Sequence, residues 1–425
     1  MVKDFIEELQ WRGMIHDMMP GTQECLNKGI TSAYIGFDPT ADSLHIGNLV
    51  QIMILVHFQK CGHRPIALVG GATGMVGDPS GKSAERNLLG EDTLQHNLSC
   101  VKKQLEKFLE FDGENAAEVV NNYDWFKDFG FLDFIRDVGK HITVNYMMSK
   151  DSVKSRLETG LSFTEFSYQL IQGYDFYHLW KNKDVKLQLG GSDQWGNIVT
   201  GTELIRRKGQ GEAFALTTPL ITKADGSKFG KSEGGNVWLD AEKTSAFKFY
   251  QYWINATDED VEKYIKIFSL RGKDEISELL EKHKEAPHLR LLQRTLAEEI
   301  TERVHSKKDL ETAQKATNIL FGKSTFEDIK NLDEKTFNEV FDGVPKSTIS
   351  KTKLSSGLNI VDAIVAESEF LKSNGEAIRN LKQNAIAVNK EKVQKDYMIS
   401  EKDLINDQYV LINKGKKNTY VIKFE

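Results

Sequence analysis

Two short apolar runs, residues 32–37 and 65–70, stand either side of a longer stretch, 44–60, whose apolar positions recur too densely for a strand. The length of that middle stretch suits a buried helix, and Gly62 follows it as a stop. The three together predict a βαβ unit. Comparable runs at 117–121, 186–189 and near Leu216 predict further strands, while helical spacing covers 5–18, 93–111, 164–174 and 194–207. Strands alternating with helices predict an α/β domain with a parallel sheet over residues 1–222.

The pattern changes after Thr222. Residues 223–235 are polar and glycine-rich, with too little apolar content to pack, so 223–245 are expected to be a mobile loop and connector. From 246 to 322 the spacing is helical without strand signals, which predicts an all-helical domain. Residues 323–353 carry scattered apolar positions with Gly343 and Pro345 and read as a linker. The last segment, 354–425, mixes both periods. Ser373-Asn374-Gly375-Glu376 has capping-box spacing ahead of an amphipathic run with Arg379 and Lys382, and 385–389 and 420–424 are strand-like.

Composition narrows the class. In 425 residues, 40% hydrophobic and 28% charged with 7 prolines, there is enough apolar material for real cores, which excludes disordered and collagen-like chains. The densest apolar stretch, 49–58, is broken by Gln51 and His57, so no membrane span is expected. Acidic residues occupy the N-terminus where a signal peptide needs basic ones, and Cys25, Cys61 and Cys100 suit neither a disulfide framework nor a zinc site. These features predict a cytoplasmic protein without a bound structural metal. The net charge of -6 hides an asymmetry: residues 346–425 hold 14 Lys and Arg against 10 Asp and Glu, leaving 42 against 52 for the rest. A modestly basic tail fits either RNA or a solvated face.

Two segments approach a phosphate loop, Gly77-Asp78-Pro79-Ser80-Gly81-Lys82-Ser83 and Gly226-Ser227-Lys228-Phe229-Gly230-Lys231-Ser232. Each leaves one residue too few between its glycines to wrap a phosphate in the Walker manner. The segment 34–48 is more informative, because it passes from a strand end into a helix start, where free N–H groups and the helix dipole attract phosphate. His45 and Asn48 share a helical face there, and Gly47 lets a flat ligand approach the backbone. Tyr168, Gln172 and Asp175 likewise share one face, spaced by four and three. Three polar groups on a buried face need a hydrogen-bonding ligand; on an exposed face they need only water. Asp193 and Gln194 follow a strand and a glycine pair, where open α/β sheets bind ligands and where Ser192 could equally be a plain helix cap.

His45-Ile46-Gly47-Asn48 and Lys228-Phe229-Gly230-Lys231-Ser232 together resemble the paired signatures of the class I aminoacyl-tRNA synthetases. Residues 34–49, 70–88, 163–175 and 190–198 extend that resemblance to the bacterial tyrosine-specific family, over essentially the whole chain. Asn48 stands where the class signature usually ends in His, and Phe229-Gly230 where Met-Ser is more frequent. Both lysines are retained. The resemblance implies a Rossmann-like catalytic domain, a helical domain that meets tRNA, and a small α+β S-four-like RNA-binding domain whose first helix is 358–370. It also implies a homodimer.

The chemistry implied is activation of L-tyrosine by ATP to tyrosyl-adenylate, with pyrophosphate released, then transfer of tyrosine to the 3' end of tRNA(Tyr). Tyrosine is expected to meet Tyr34, Asp78, Tyr168, Gln172, Asp175 and Gln194. ATP is expected to meet Gly36, Asp38, Thr40, His45, Gly47, Asn48, Gly191, Asp193, Lys228, Lys231 and Ser232, with Mg2+ accompanying the nucleotide. Thr40, His45, Lys228 and Lys231 are expected to stabilise the charge that grows on pyrophosphate. Asp38 and Asp78 are also residues that turns select.

Overall fold

In the computed structural model, residues 3–80, 89–154, 156, 160–232, 235–321, 326–330, 332–342, 344–355, 357–415 and 418–425 are described. Gly81-Lys82-Ser83 of the first near-phosphate-loop segment, and Glu233 and Gly234, lie outside the described residues. The chain divides into two compact units, Met1–Thr244 with Trp253–Val304, and Ser245–Tyr252 with His305–Glu425.

The first unit is built on a six-stranded sheet of β1 (Asp17–Met18), β2 (Ser32–Phe37), β3 (Arg64–Val69), β4 (Glu118–Asn121), β5 (Val185–Gly191) and β6 (Phe214–Thr218). Their order is β1-β6-β5-β2-β3-β4, parallel except for β1, which runs antiparallel on β6. The chain steps from β2 through β3 to β4 on one side, then returns to β5 on the other side of β2. Such a reversal opens a crevice at the carboxyl ends of the two strands. Ile35, Ile66 and Leu187 are each no more than 2% exposed, and burying a side chain of that size contributes about 1.5–3 kcal/mol.

Helices follow the expected order with altered ends. The first, α1 (Phe5–Arg12), stops well short of residue 18 because Gly13 takes φ 72° and closes it with a left-handed cap; residues 17–18 become β1. Helix α2 (Ile46–Lys60) starts after His45 rather than at residue 44, and α3 (Glu91–Leu105) replaces the expected 93–111. Helix α4 (Phe163–Lys183) runs nine residues beyond Tyr174, started by Ser162, whose hydroxyl accepts the Glu165 N–H, and ended where Asp184 turns left-handed. Helix α5 (Trp195–Leu204) passes into a π turn, Ile205–Gly209.

The stretch 246–322, expected as one helical domain, is shared between the two compact units. Helices Asp258–Phe268, Lys273–Glu285 and Leu291–Val304 belong with the sheet. Polar side chains under the sheet reach them: the Arg12 guanidinium donates to the carbonyls of Ser269 and Arg271, both at 2.9 Å, and His57 Nε2 lies 3.1 Å from the Ile267 carbonyl. Burial drives the His57 pKa down to about 3, so its ring is neutral.

The stretch 223–235 also differs from expectation. Phe229 is buried, with ring centroids 5.0 Å from Tyr264 and 5.6 Å from Phe268. One aromatic anchor thus fixes a segment whose residues Ala224–Lys228 are exposed. Beyond it, β7 (Lys231–Ser232) and β8 (Gly235–Asn236) pair as a small antiparallel hairpin.

In the second unit, residues 323–353, expected as a linker, carry helices Phe326–Lys330 and Glu334–Val340 and strand β9 (Lys346–Ile349). Strand β9 lies parallel to β15 (Asn418–Phe424) at the edge of a sheet ordered β12-β11-β14-β15-β9, with β11 (Ile386–Val388), β12 (Glu391–Lys392) and β14 (Tyr409–Lys414) antiparallel. Residues 358–370 are not one helix: strand β10 (Leu358–Asn359) pairs with β13 (Met398–Ile399), followed by Ile360–Asp362 and a π turn. The run after Ser373 is helical, Asn374–Lys382, with Glu376 N–H donating to the Ser373 hydroxyl at 3.3 Å.

Candidate active site

A cavity of about 830 Å³ opens where β2 and β5 end. Fifteen of the seventeen residues singled out from the sequence line it: Tyr34, Gly36, Asp38, Thr40, His45, Gly47, Asn48, Asp78, Tyr168, Gln172, Asp175, Gly191, Asp193, Gln194 and Lys228. Lys231, which is exposed, is not among the residues lining it; Lys231 and Ser232 form β7 of the adjoining hairpin. The cavity draws on strand ends for Tyr34, Gly36 and Gly191, on the start of α2 for His45 to Asn48, and on one face of α4 for Tyr168, Gln172 and Asp175.

Around α4 the side chains are buried and pre-positioned. Asp175 is 2% exposed; Trp125 Nε1 donates to its Oδ1 at 2.9 Å and Asn122 Nδ2 to its Oδ2 at 3.1 Å. Burial outweighs these two donors and raises its pKa to about 8, so the group is mainly protonated at neutral pH. Tyr34 sits on β2 between Ile66 and Gln188, and burial with the nearby Asp175 charge holds its phenol well above the ordinary range. Four buried polar atoms of the wall, Tyr34 Oη, Gln51 Oε1, Gln172 Oε1 and Gln188 Oε1, have no hydrogen-bond partner among the described residues. Each such group costs about 1–3 kcal/mol until a ligand satisfies it.

A second cluster is charged. Tyr168 Oη donates to Asp38 Oδ2 at 3.0 Å and Thr73 Oγ1 donates to Asp38 Oδ1 at 2.7 Å. Because the Tyr168 proton is directed at Asp38, its oxygen lone pairs can accept from a cation. Gln194 Nε2 donates to Asp78 Oδ2 at 2.7 Å, and the Ser80 N–H donates to Asp78 Oδ1 at 2.9 Å. Two carboxylates held in this way make a cradle for an ammonium group, whereas the start of α2 offers N–H groups to an anion.

At that helix start Asn48 Oδ1 accepts the His45 N–H at 3.1 Å, so its Nδ2 is the atom with which it can donate to a ligand. Gly47 is required there, since a Cβ would fall 2.7 Å from His45 Cε1. Gly230 of the second signature, at φ 82°, packs against Gly47, its would-be Cβ only 3.1 Å from the Gly47 nitrogen. The two signatures therefore meet through glycines.

Residues 336–422 match the tyrosine–tRNA ligase SYY-like C-terminal domain, and residues 27–322 match the family described as tRNA synthetases class I (W and Y). The tyrosine–tRNA ligase of Flavobacterium johnsoniae is 64% identical over 99% of this chain and 100% of its own length. This chain belongs to the tyrosine–tRNA ligase family. Its counterpart in Porphyromonas gingivalis W83 is 60% identical over 99% of this chain and its own full length. Among solved structures, a C-terminally truncated mitochondrial tyrosyl-tRNA synthetase from Aspergillus nidulans superposes with a TM-score of 0.68 at 31% identity, covering 75% of this chain and 94% of that one. The Rossmann-like fold of class I synthetases is accordingly the fold of the first unit.

Within this synthetase, several residues of the site escape the motifs. Asn122 and Trp125 hold Asp175, Thr73 holds Asp38, and Gln51, Gln188 and Trp238 are in the cavity wall. Gln188 had a signal: a polar residue inside an apolar strand run. Asn122 and Trp125 had none, because their partner is fifty residues or more away.

Proposed function

We propose that this chain is a tyrosine–tRNA ligase, an aminoacyl-tRNA synthetase that joins L-tyrosine to tRNA(Tyr) through a tyrosyl-adenylate. The reading is carried by the burial of Tyr34 and Asp175 in the wall of one cavity with Tyr168 and Gln172. A phenol hydroxyl can donate to one of the first pair and accept from the other. The amino group is taken by Tyr168, Gln172 and Asp78. The tyrosine carboxylate attacks the α-phosphate of ATP in line, a new P–O bond forms, and pyrophosphate leaves with the electrons of the broken bond. The chain needs no nucleophile of its own; it orients the reactants and stabilises charge.

Gly36, Gly191 and Asp193 face the nucleotide's ribose side, Asp38, bonded to Tyr168, lies between the nucleotide and the ammonium group, and Gly47 and Asn48 meet the nucleotide at the start of α2. Thr40, His45, Lys228, Lys231 and Ser232 serve the leaving phosphates. Magnesium travels with ATP in this reading. Among the described residues no group of three or more His, Cys, Asp or Glu is placed to hold a metal. In the second step the terminal ribose of tRNA takes the tyrosyl group and AMP departs; the basic tail with its exposed Arg379 and Lys382 binds the RNA. Among the described residues no helix is long and apolar enough to cross a membrane, and the three cysteines are unpaired, which fits work in the cytoplasm.

Exchange of labelled pyrophosphate into ATP, run with each amino acid in turn, tests this directly. Tyrosine alone should support it; a response to tryptophan instead would reassign the enzyme within its class. Tyr34→Phe should bring tyrosine and phenylalanine about tenfold closer in kcat/KM, because it removes a buried hydroxyl that phenylalanine leaves unpaired. An unchanged ratio would place the phenol contact elsewhere.

The enzyme works as a homodimer in this reading. An apolar cleft of about 670 Å³ is lined by Phe126, Phe129, Phe134, Ile142, Met147 and Phe166 among others. Phe131, Leu132, Val144 and Phe163 beside it are 62–79% exposed. A patch of that kind marks an interaction surface, and a twofold axis lets two copies cover it at once. Leu132→Glu with Phe163→Glu should convert the sedimenting species from dimer to monomer, the second change being compatible with the first turn of α4. A wild-type chain that sediments as a monomer at micromolar concentration would refute the dimer.

A further inference from the structure

From the contacts between residues 42–46 and 236–243 we infer that Trp238 is a positioning residue for His45, part of a strap that makes the two signatures one mechanical piece. This rests on the role given above to His45. The strap begins at β8, the second strand of the hairpin that carries Lys231, and is bound to the first signature at successive points. Val237 N–H donates to the Gly230 carbonyl at 2.9 Å, and the Val237 carbonyl accepts the Ile46 N–H at 2.9 Å. Leu239 N–H donates to the Leu44 carbonyl at 2.8 Å, and Asp240 N–H donates to Ser43 Oγ at 3.2 Å. Lys243 Nζ then pairs with Asp42 Oδ1 at 2.7 Å. Val237 alone thus joins Gly230 of the second signature to Ile46 of the first.

Within that ladder His45 and Trp238 are bridge partners, and their rings meet edge-on with centroids 6.0 Å apart and planes at 64°. The imidazole also lies over Gly47, where a Cβ would be 2.7 Å away. The His45 ring therefore meets both an indole and a bare backbone. Lys243 Nζ stands 5.5 Å from the indole centroid, while its ion pair to Asp42 holds it there, so the indole is itself held in place. Trp238 is half-buried and lines the cavity, yet its chemistry offers little to a leaving phosphate; what it supplies is the orientation of the group that does. An edge-to-face aromatic contact contributes about 0.5–1.5 kcal/mol, which is roughly two- to tenfold in rate if it is needed only in the transition state.

The test is a double-mutant cycle on the single-turnover rate of adenylate formation, with tyrosine affinity measured in parallel. Trp238→Leu should slow adenylate formation by up to about tenfold with tyrosine affinity unchanged, Trp238→Phe should recover most of the rate, and neither should matter once His45→Ala is present. Equal slowing in both backgrounds, or no slowing in either, would overturn the inference. If His45→Ala by itself leaves the rate intact, the role of His45 fails first, and any slowing by Trp238→Leu must then come by another route. Should the leucine variant fail to bind tyrosine, and so prove misfolded, the cycle is run with Trp238→Met, to which the same outcomes apply.

Discussion

Lys231→Ala is expected to slow tyrosyl-adenylate formation by about 10²–10³-fold, the range seen when one donor to a developing anion is removed, with little change in the ground-state affinity for ATP. Lys231 is exposed and outside the cavity wall, on a hairpin only two residues deep in each strand. Its backbone carbonyl accepts Lys223 Nζ at 3.0 Å, which fixes the main chain and leaves the long side chain to swing. In the proposed reading this cation meets the phosphates as the α–β bond breaks and charge collects on pyrophosphate. In the same reading ground-state ATP is held instead by the start of α2 and the ends of β2 and β5. Rapid-quench measurements should accordingly show kcat and kcat/KM falling together. A rise in KM for ATP with kcat intact would make Lys231 a simple binding residue.

How far the sequence reveals this site depends on how local each signal is. Strands β2, β3 and β4 and the start of α4 were legible because apolar runs and helical spacing report on their immediate surroundings. The cavity was legible in its signatures, since residues 34–48 and 190–194 carry patterns that place polar groups at a strand end or helix start, and 168–175 one that places them along a helix face. What holds those groups was not. Asp175 is gripped by Asn122 and Trp125, and Asp38 by Thr73, through contacts that only the sheet order creates. The same limit explains why the helices of 246–322 could not be apportioned, because periodicity marks them as helical but cannot see Arg12 reaching the carbonyls of Ser269 and Arg271. It explains the loop as well: a single phenylalanine in thirteen residues is too weak a hydrophobic signal, yet Phe229 finds an aromatic cluster ready to receive it.

Ending the chain at Leu332 is expected to abolish tRNA charging while adenylate formation stays within about twofold, because every residue assigned to activation lies in the first unit and none beyond residue 304. The place of the cut matters. A stop near Lys346, at the end of the apparent linker, would strip β14 from Phe337, whose ring stacks on Tyr409 at 4.7 Å, and leave that ring bare on the helix Glu334–Val340. Stopping at Leu332 removes both partners together. The lost segment includes the whole of the basic tail, whose Arg379 and Lys382 stand exposed on one capped helix. Cations that bind RNA phosphates release condensed counterions, so affinity for tRNA should fall linearly as log salt rises, by roughly 0.7–0.9 in slope per contact. The truncated chain should bind tRNA more weakly and with a flatter slope, which separates loss of phosphate contacts from general misfolding. Pyrophosphate exchange on the same sample reports whether the sheet unit is intact. Normal charging by the truncated chain would make the tail dispensable for tRNA, and loss of exchange along with charging would make it a structural support for the first unit; either result would overturn the division of labour between the two units.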